Sequence, residues 1–214
     1  MIIAIDGTAG SGKGSLAKNL STKLNLNHLD TGVLFRIIAC QAFNLEIDNE
    51  DERLTELSRK LTIENVEQFK VIEKEKLKSE KISQRSSEIA INKSVRNELI
   101  NFQRKYENYD KSIYNGIVLD GRDIGTVVFP NADFKLFLDA DIEIRAERRT
   151  QELIHLNYKV IHQDILSELK LRDERDINRS IGPLSKAKDA FFIDTGHKSE
   201  NLVLQEALEF IKIN

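Results

Sequence analysis

The chain has 214 residues, 32 Lys and Arg against 35 Asp and Glu, and a formal net charge of −3. A slightly acidic balance carries no electrostatic footprint for a nucleic-acid polymer or an anionic membrane surface, and a single cysteine, Cys40, leaves no internal disulfide to form. With 40% hydrophobic residues a chain of this length can bury one main core with insertions. An apolar strand pattern from residue 2 leaves no room for a signal peptide, and no stretch is apolar enough to span a bilayer, so a cytoplasmic protein is expected.

Ile2 to Ile5 reads as a buried strand and is followed at once by Gly7-Thr8-Ala9-Gly10-Ser11-Gly12-Lys13-Gly14-Ser15 and a helix beginning at Lys13. Strand, glycine-rich loop and helix in that order make a phosphate-binding loop. The glycines let backbone N–H groups point inward, the helix start adds free N–H groups and a positive dipole end, and Lys13 reaches the outer phosphates. A glycine-rich surface turn is the bland alternative, and it has no need of both flanking elements.

A short strand near Leu26 to Leu29 leads into His28-Leu29-Asp30-Thr31-Gly32, then Phe35 and Arg36, with a helix from Val33 to Phe43 that carries Cys40 as a core residue. Ligands on open α/β sheets bind outside the carboxyl ends of strands, which suits Thr31 and Arg36 to a second phosphate; a plain helix start is the alternative. Residues 62 to 82 alternate loosely, through Leu61-Thr62-Ile63, Phe69-Lys70-Val71-Ile72-Glu73 and Leu77-Lys78. That pattern predicts short hairpin strands, followed by helices through about Tyr109, as a small inserted subdomain.

Ile117 to Leu119 is a third strand, and it ends in Asp120-Gly121-Arg122-Asp123. A carboxylate closing a buried strand beside a phosphate loop is placed to order magnesium water, the role expected of Asp120. Phe134 to Leu138 and Phe191 to Ile193 complete the strands, and helices are expected over Asp141 to His155, Ile161 to about Asp176 and Ser199 to Lys212. Alternation of strands and helices predicts a parallel sheet covered on both faces. Arg145, Arg148 and Arg149 either bind phosphate or pair with neighbouring Glu residues on the helix surface. In the charge-rich stretch from Tyr158 to Lys186, Arg172, Arg175 and Arg179 stand at i, i+3 and i+7, an arginine stripe on one helix face. Such a stripe in an acidic protein suits a localised anion, and a lid that excludes water during phosphate transfer. His28, His155, His162 and His197 show no metal-ligand spacing and read as surface or packing residues.

Taken in order, GTAGSGKGS, LDTGVLFR, DGRDIGTVVFP, KLFLDA, RDERDINR and GPLSKAKDA resemble the bacterial cytidylate kinases over essentially the whole chain. Gly14 stands where the general loop has Ser or Thr and the hydroxyl follows at Ser15, a variant closer to nucleoside monophosphate kinases than to GTPases. The resemblance implies an α/β fold of the P-loop nucleoside monophosphate kinase type: a five-stranded parallel sheet covered by helices, a helical lid, and an NMP-binding insert with a small antiparallel sheet. The implied divisions are a core of residues 1–30, 110–157 and 187–214, an NMP-binding region of 31–109 and a lid of 158–186. The implied reaction is transfer of the γ-phosphoryl group of ATP to CMP or dCMP with magnesium, by a monomer holding no tightly bound metal of its own.

Carried over by position, Gly7, Thr8, Ala9, Gly10, Ser11, Gly12, Lys13, Gly14 and Ser15 hold the ATP phosphates, and Ser15 and Asp120 face the magnesium, the latter through water. Thr31 and Arg36 match contacts to CMP, while Ser87, Arg96 and Asp123 match those that read cytosine. Arg122, Arg172 and Arg179 match phosphate-binding arginines, Asp176 a ribose contact. Phe35 stands where the family often has Tyr, and Thr8 replaces a frequent proline. The rival readings are a P-loop kinase for UMP, AMP or a small metabolite, and a nucleotide-binding regulator; the arginine-rich stretch and the lack of an Asn-Lys-x-Asp motif favour an enzyme over the regulator.

Overall fold

The run Ile2 to Ile5 forms the middle strand of a five-stranded parallel sheet in the computed structural model, which describes residues 1–49, 51–73, 76–77, 79–109 and 111–213. In chain order the described elements are β1 (Ile2–Gly7), α1 (Lys13–Leu24), β2 (Asn27–Asp30), α2 (Thr31–Asn44), α3 (Arg53–Arg59), α4 (Ile63–Ile72), α5 (Glu80–Ile89), α6 (Lys93–Tyr106), β3 (Ile117–Gly121), β4 (Phe134–Asp139), α7 (Ile142–His155), α8 (His162–Asn178), β5 (Phe191–Asp194) and α9 (Glu200–Ile213). A π-helical turn, Ile124–Val128, lies between β3 and β4. The five strands and the flanking helices fall where the apolar runs predict them.

Residues Met1–Leu29 and Asp110–Asn214 make one unit, and Asp30–Tyr109 a second. In the larger unit the strand order is β2-β3-β1-β4-β5, with β1 parallel to both β3 and β4 and β4 parallel to β5. Every residue of β3 is buried, as are five of the six in β1, because a parallel sheet is covered on both faces and its strands read as continuous apolar runs. Leu16, Ala17 and Leu20 of α1 and Val203 and Ala207 of α9 pack with Ile3, Ile5, Val118, Leu136, Leu138 and Ile193. A separate cluster joins Ala146 and Leu153 of α7 to Ile165, Leu166 and Leu169 of α8, and includes Ala9 of the glycine-rich loop.

In the smaller unit the expected antiparallel sheet is absent among the described residues. Residues 62 to 82 hold α4 and the start of α5, and Lys74, Glu75 and Lys78, on which part of the hairpin reading fell, lie outside the described residues, as does Asp110. Local capping explains the difference. Thr62 accepts from the Asn65 N–H at 3.2 Å while the Asn65 side chain accepts from the Thr62 N–H at 3.3 Å, a reciprocal box that satisfies helix-start donors. Val66 is the buried residue of α4, whereas Val71 and Ile72, which suggested a strand, are 79% and 75% exposed. An isolated hairpin with its apolar side chains in water has little to hold it.

Helix α2 starts two residues earlier than expected, because the Asp30 carboxylate accepts from the Val33 N–H at 3.3 Å and caps it. Among the described residues no helix is long and apolar enough to cross a membrane.

Thr62→Val separates the two readings of this segment. A β-branched apolar residue favours a strand but cannot cap a helix, so the helical arrangement predicts a loss of about 1 kcal/mol. Equilibrium urea unfolding of the pair of proteins measures it; equal or greater stability of the variant would restore the hairpin.

Candidate active site

Gly10 and Gly12 take φ of 75° and 85°, left-handed values that let the loop between β1 and α1 curl back on itself. Gly12 caps α1 without a side chain, so the first helical N–H groups face the loop's hollow. Lys13, the first residue of α1, folds over this hollow and donates to the Thr8 carbonyl at 3.0 Å. Strand ends hold the loop from beneath. Thr8 donates to Asp139 at the end of β4 at 2.6 Å, an anchor that a proline at this position could not supply. Thr195, just past β5, donates to the Ser11 carbonyl at 3.0 Å.

Arg145 of α7 joins the loop to α8. Its guanidinium donates to the Ala9 carbonyl at 3.0 Å and to Asp173 of α8 at 2.6 Å, and both side chains are nearly buried. Of the two roles open to Arg145, the structure gives an ion pair, with a buried partner on α8 in place of the expected Glu neighbours. Arg148 donates to the Thr195 and Gly196 carbonyls, and Arg149 pairs with Glu152 on the helix surface. Ser11, Gly12, Ser15, Asn19, Arg148 and Lys198 are among the residues lining a cavity of about 290 Å³ beside the loop.

At the end of β3, Asp120 is buried, and its Oδ1 lies 2.7 Å from His28 Nε2 on β2. The histidine read as a packing residue thus stands against a carboxylate of the site. Asp120 Oδ2 is 3.7 Å from where a Cβ on Gly14 would sit, which puts the carboxylate beside the first turn of α1. Arg122 donates through Nε to Asp176 of α8 at 2.7 Å. Arg179 stands 3.4 Å from Asp176 and 3.6 Å from Asp123, with its side chain almost wholly buried. Burial pushes the Asp176 carboxyl up, but Arg122, with Arg172 and Arg179, outweighs it and holds the group below the ordinary carboxylate value.

The arginine stripe is only partly helical. Helix α8 ends at Asn178, and Arg179 is its C-cap in extended conformation, φ −63° and ψ 139°. Its side chain reaches Asp123 and Asp176 because the chain leaves the helix there, and not through an i+7 position. Arg175 makes no ion pair among the described residues.

In the smaller unit Thr31 is buried at the start of α2, and Arg36, one turn on, lies 3.6 Å from Asp30. Arg96 of α6 is 2% exposed, donates to the Ala90 carbonyl at 3.2 Å and faces the Phe35 ring, 5.6 Å from its centroid. Ser87 of α5 is buried.

The sequence reading missed Asp139, Asp173, Thr195 and His28. A signal existed for the first: Leu136-Phe137-Leu138-Asp139 repeats the apolar run ending in Asp that marked Asp120. The other three act through partners that only the fold brings near.

A strand, a cradling loop with its lysine, a carboxylate at the neighbouring strand end and arginines gathered around Asp176 of α8 define a P-loop phosphotransferase. Residues 3–213 match the family model for cytidylate kinase. The cytidylate kinase of Clostridioides difficile (strain 630) is 36% identical over 219 residues, covering 100% of this chain and 99% of that protein. That of Bartonella henselae (strain ATCC 49882 / DSM 28221 / CCUG 30454 / Houston 1) is 39% identical over 198 residues, covering 92% and 88%. Among solved structures, an uncharacterized protein from Eubacterium ventriosum ATCC 27560 superposes with a TM-score of 0.58 at 16% identity, covering 100% of this chain and 99% of that one. TT1252 from Thermus thermophilus gives 0.51 at 14%, covering 100% and 98%. The last two show the fold alone. The chain belongs to the cytidylate kinase family.

Because the Asp176 pKa is lowered on folding from 3.8, its pairing contributes stability that is fully present above that pH and lost as pH falls through the folded value. The stability gap between wild type and Asp176→Asn in denaturant titrations should hold steady from neutral pH to about 3.8 and then narrow. A gap that keeps its size in stronger acid would mean that the ionised carboxylate is not what pairs.

Proposed function

We infer that this enzyme transfers the γ-phosphoryl group of ATP to CMP or dCMP, giving ADP and CDP or dCDP. Family membership over nearly the whole chain supports the reaction, and the observation that carries it is the segment of residues 7–15 with Lys13 in it, held between strand ends and α8. Gly7 to Ser15 bind the ATP phosphates, and Lys13 neutralises charge on the group in transit. Arg122, Arg172 and Arg179, on or near α8, supply the remaining cationic contacts, and residues 158–186 act as the lid that keeps water out. The acceptor is a phosphate monoester already largely ionised at pH 7, so the site requires alignment and no general base.

Residues 31–109 form the NMP-binding region. Thr31 and Arg36 contact CMP there, and Ser87 and Arg96 read its base. In the larger unit Asp123 accepts from the cytosine amino group and Asp176 contacts the ribose. Asp120 and Ser15 suit a magnesium ion held partly through water: the buried Asp120 carboxylate lies beside the loop, and hard oxygen donors are what that ion takes. Held there by Asp120 and Ser15, a magnesium ion would offset charge on the ATP phosphates. The enzyme works as a monomer.

The test of the reaction is ADP release, measured by a coupled assay across CMP, dCMP, UMP and AMP. CMP and dCMP should lead; equal rates with UMP or AMP would remove the cytidylate assignment. Lys13→Ala should lower single-turnover transfer by about 10² to 10³, the cost of one preorganised charge contact, with the fold intact. A loss within tenfold would take Lys13 out of the transfer step.

Asp123 decides substrate choice in this reading, because uracil presents an acceptor where cytosine has its amino donor, and two opposed acceptors in a desolvated pocket can cost 10⁴ or so in discrimination. Asp123→Ala should therefore erode the kcat/KM preference for CMP over UMP more than it changes KM for ATP. An unchanged ratio would leave Asp123 only its pairing with Arg179.

A further inference from the structure

Asp6 is the buried carboxylate that the transfer chemistry leaves without a task. It is the penultimate residue of β1, directly before the phosphate loop, opposite Gly121 of β3 on one side and Phe137 of β4 on the other, and is 4% exposed. Both oxygens accept from main chain: the Ile124 N–H at 2.7 Å and the Gly125 N–H at 2.8 Å. These amides open the π-helical turn that follows Arg122-Asp123, and the first N–H groups of any helical turn have no partner within it.

An Asp standing immediately before such a turn ordinarily caps it with its own side chain. Asp123 occupies that place and makes no side-chain cap. The capping is done from another strand, and the Asp123 carboxylate is left to face Arg179. Contacts around the turn are close. A Cβ on Gly125 would lie 3.4 Å from Asp6 and 3.2 Å from the Lys135 alkyl chain, so the turn is clamped between β1 and β4.

The arrangement is costly. Burial raises the Asp6 carboxyl from 3.8 to about 6, despite the two N–H groups that lower it; Asp123 adds to the rise and Arg122 opposes it. Lys135 of β4 turns its ammonium to Asp189 and the Pro130 carbonyl. The sign follows from linkage: the folded value lies above the unfolded one, so the ionised form subtracts stability, and this contribution improves as pH falls from about 6 toward 3.8. Stability alone would favour a neutral group here.

We propose that Asp6 is a positioning residue for the acceptor nucleotide, capping the π-helical turn in place of Asp123 so that the Asp123 carboxylate and the Arg122 guanidinium are held where the acceptor needs them. This rests on the reading given above, of Asp123 as a contact to the acceptor's base and Arg122 as a phosphate contact. Asp6 touches neither substrate. It acts through the turn, and the donor loop that begins at Gly7 and the acceptor turn thereby share one anchor.

Asp6→Asn keeps the shape, removes the charge and turns an amide donor on to one of the two N–H groups. We expect kcat/KM for CMP to fall about 10²-fold, the usual cost of displacing a reacting group by about 1 Å. The CMP over UMP ratio should fall about tenfold as Asp123 is drawn to the vacated cap, while KM for ATP stays within about threefold, and the melting temperature should hold or rise. If Asp6 acts through Asp123, the double variant Asp6→Asn/Asp123→Ala should show the same CMP over UMP ratio as Asp123→Ala alone. An unchanged ratio in Asp6→Asn, additive effects in the double variant, or a parallel loss of ATP and CMP affinity that tracks the melting temperature each overturn the proposal.

Wild-type protein gives a test that does not depend on the variant folding. The kcat/KM ratio for CMP over UMP cancels the phosphate titration common to both substrates, and it should decline as pH drops through about 6. A ratio flat across that range overturns the proposal. Absence of any CMP preference in wild type at neutral pH would instead sink the reaction assignment itself, so the two failures are told apart.

Discussion

The parallel pairing of β1 with β3 and β4 fixes where every chemical group of the larger unit stands. Parallel strands finish at the same edge of a sheet, and the register sets Ile5 beside Asp120, Asp6 beside Gly121 and Gly7 beside Leu138. Carboxylates from three strand ends, Asp6, Asp120 and Asp139, thereby reach one edge together with the loop. Register is held by burial on both faces: slipping β1 by one residue would exchange the faces of Ile3 and Ile5 and drive Asp6 into the apolar cluster with Leu136 and Leu138. The same core that makes the fold stable also sets the spacing of the charges.

Those charges come in pairs that join loop, strand end and α8. Arg145 with Asp173 and Arg122 with Asp176 are both nearly buried, and desolvating four charges offsets most of what their attraction returns. Such pairs are a poor source of stability and a good source of fixed geometry. An arginine already held by a carboxylate has lost its rotamer freedom before any nucleotide arrives, so a phosphate meeting it has little ordering left to do. Asp173 also accepts from the Ala9 N–H at 3.4 Å, which ties α8 to the loop through main chain as well as through Arg145.

Strands, flanking helices and the phosphate loop could be read from the sequence because each follows from local composition: an apolar run, a helical period, glycines between them. Asp120 and Arg122 were legible because they sit at the end of such a run. Asp173 and Thr195 were not, since their partners Arg145 and Ser11 lie far along the chain and only the sheet brings them close. The helical spacing of Arg179 with Arg172 and Arg175 does not explain its place beside Asp123 and Asp176, for the helix stops one residue short of it. The insert was misread because a period of two over a few residues competes poorly with a capping box, whose two hydrogen bonds decide the backbone at Thr62 before any packing is counted.

Phe35 shows how a departure from the family pattern becomes physical. A tyrosine there would offer a hydroxyl, and its loss suggests a weaker acceptor region. Yet the ring stands 5.6 Å from the Arg96 guanidinium, close enough for the negative face of the π system to attract the cation. A ring face takes up none of the five directional N–H donors of an arginine, whereas a hydroxyl would accept from one. Arg96 is 2% exposed and one of its donors already serves the Ala90 carbonyl, so a partner that steadies the charge without occupying another donor suits a guanidinium assigned to reading a base. The residue at position 35 thus sets how the Arg96 guanidinium is held.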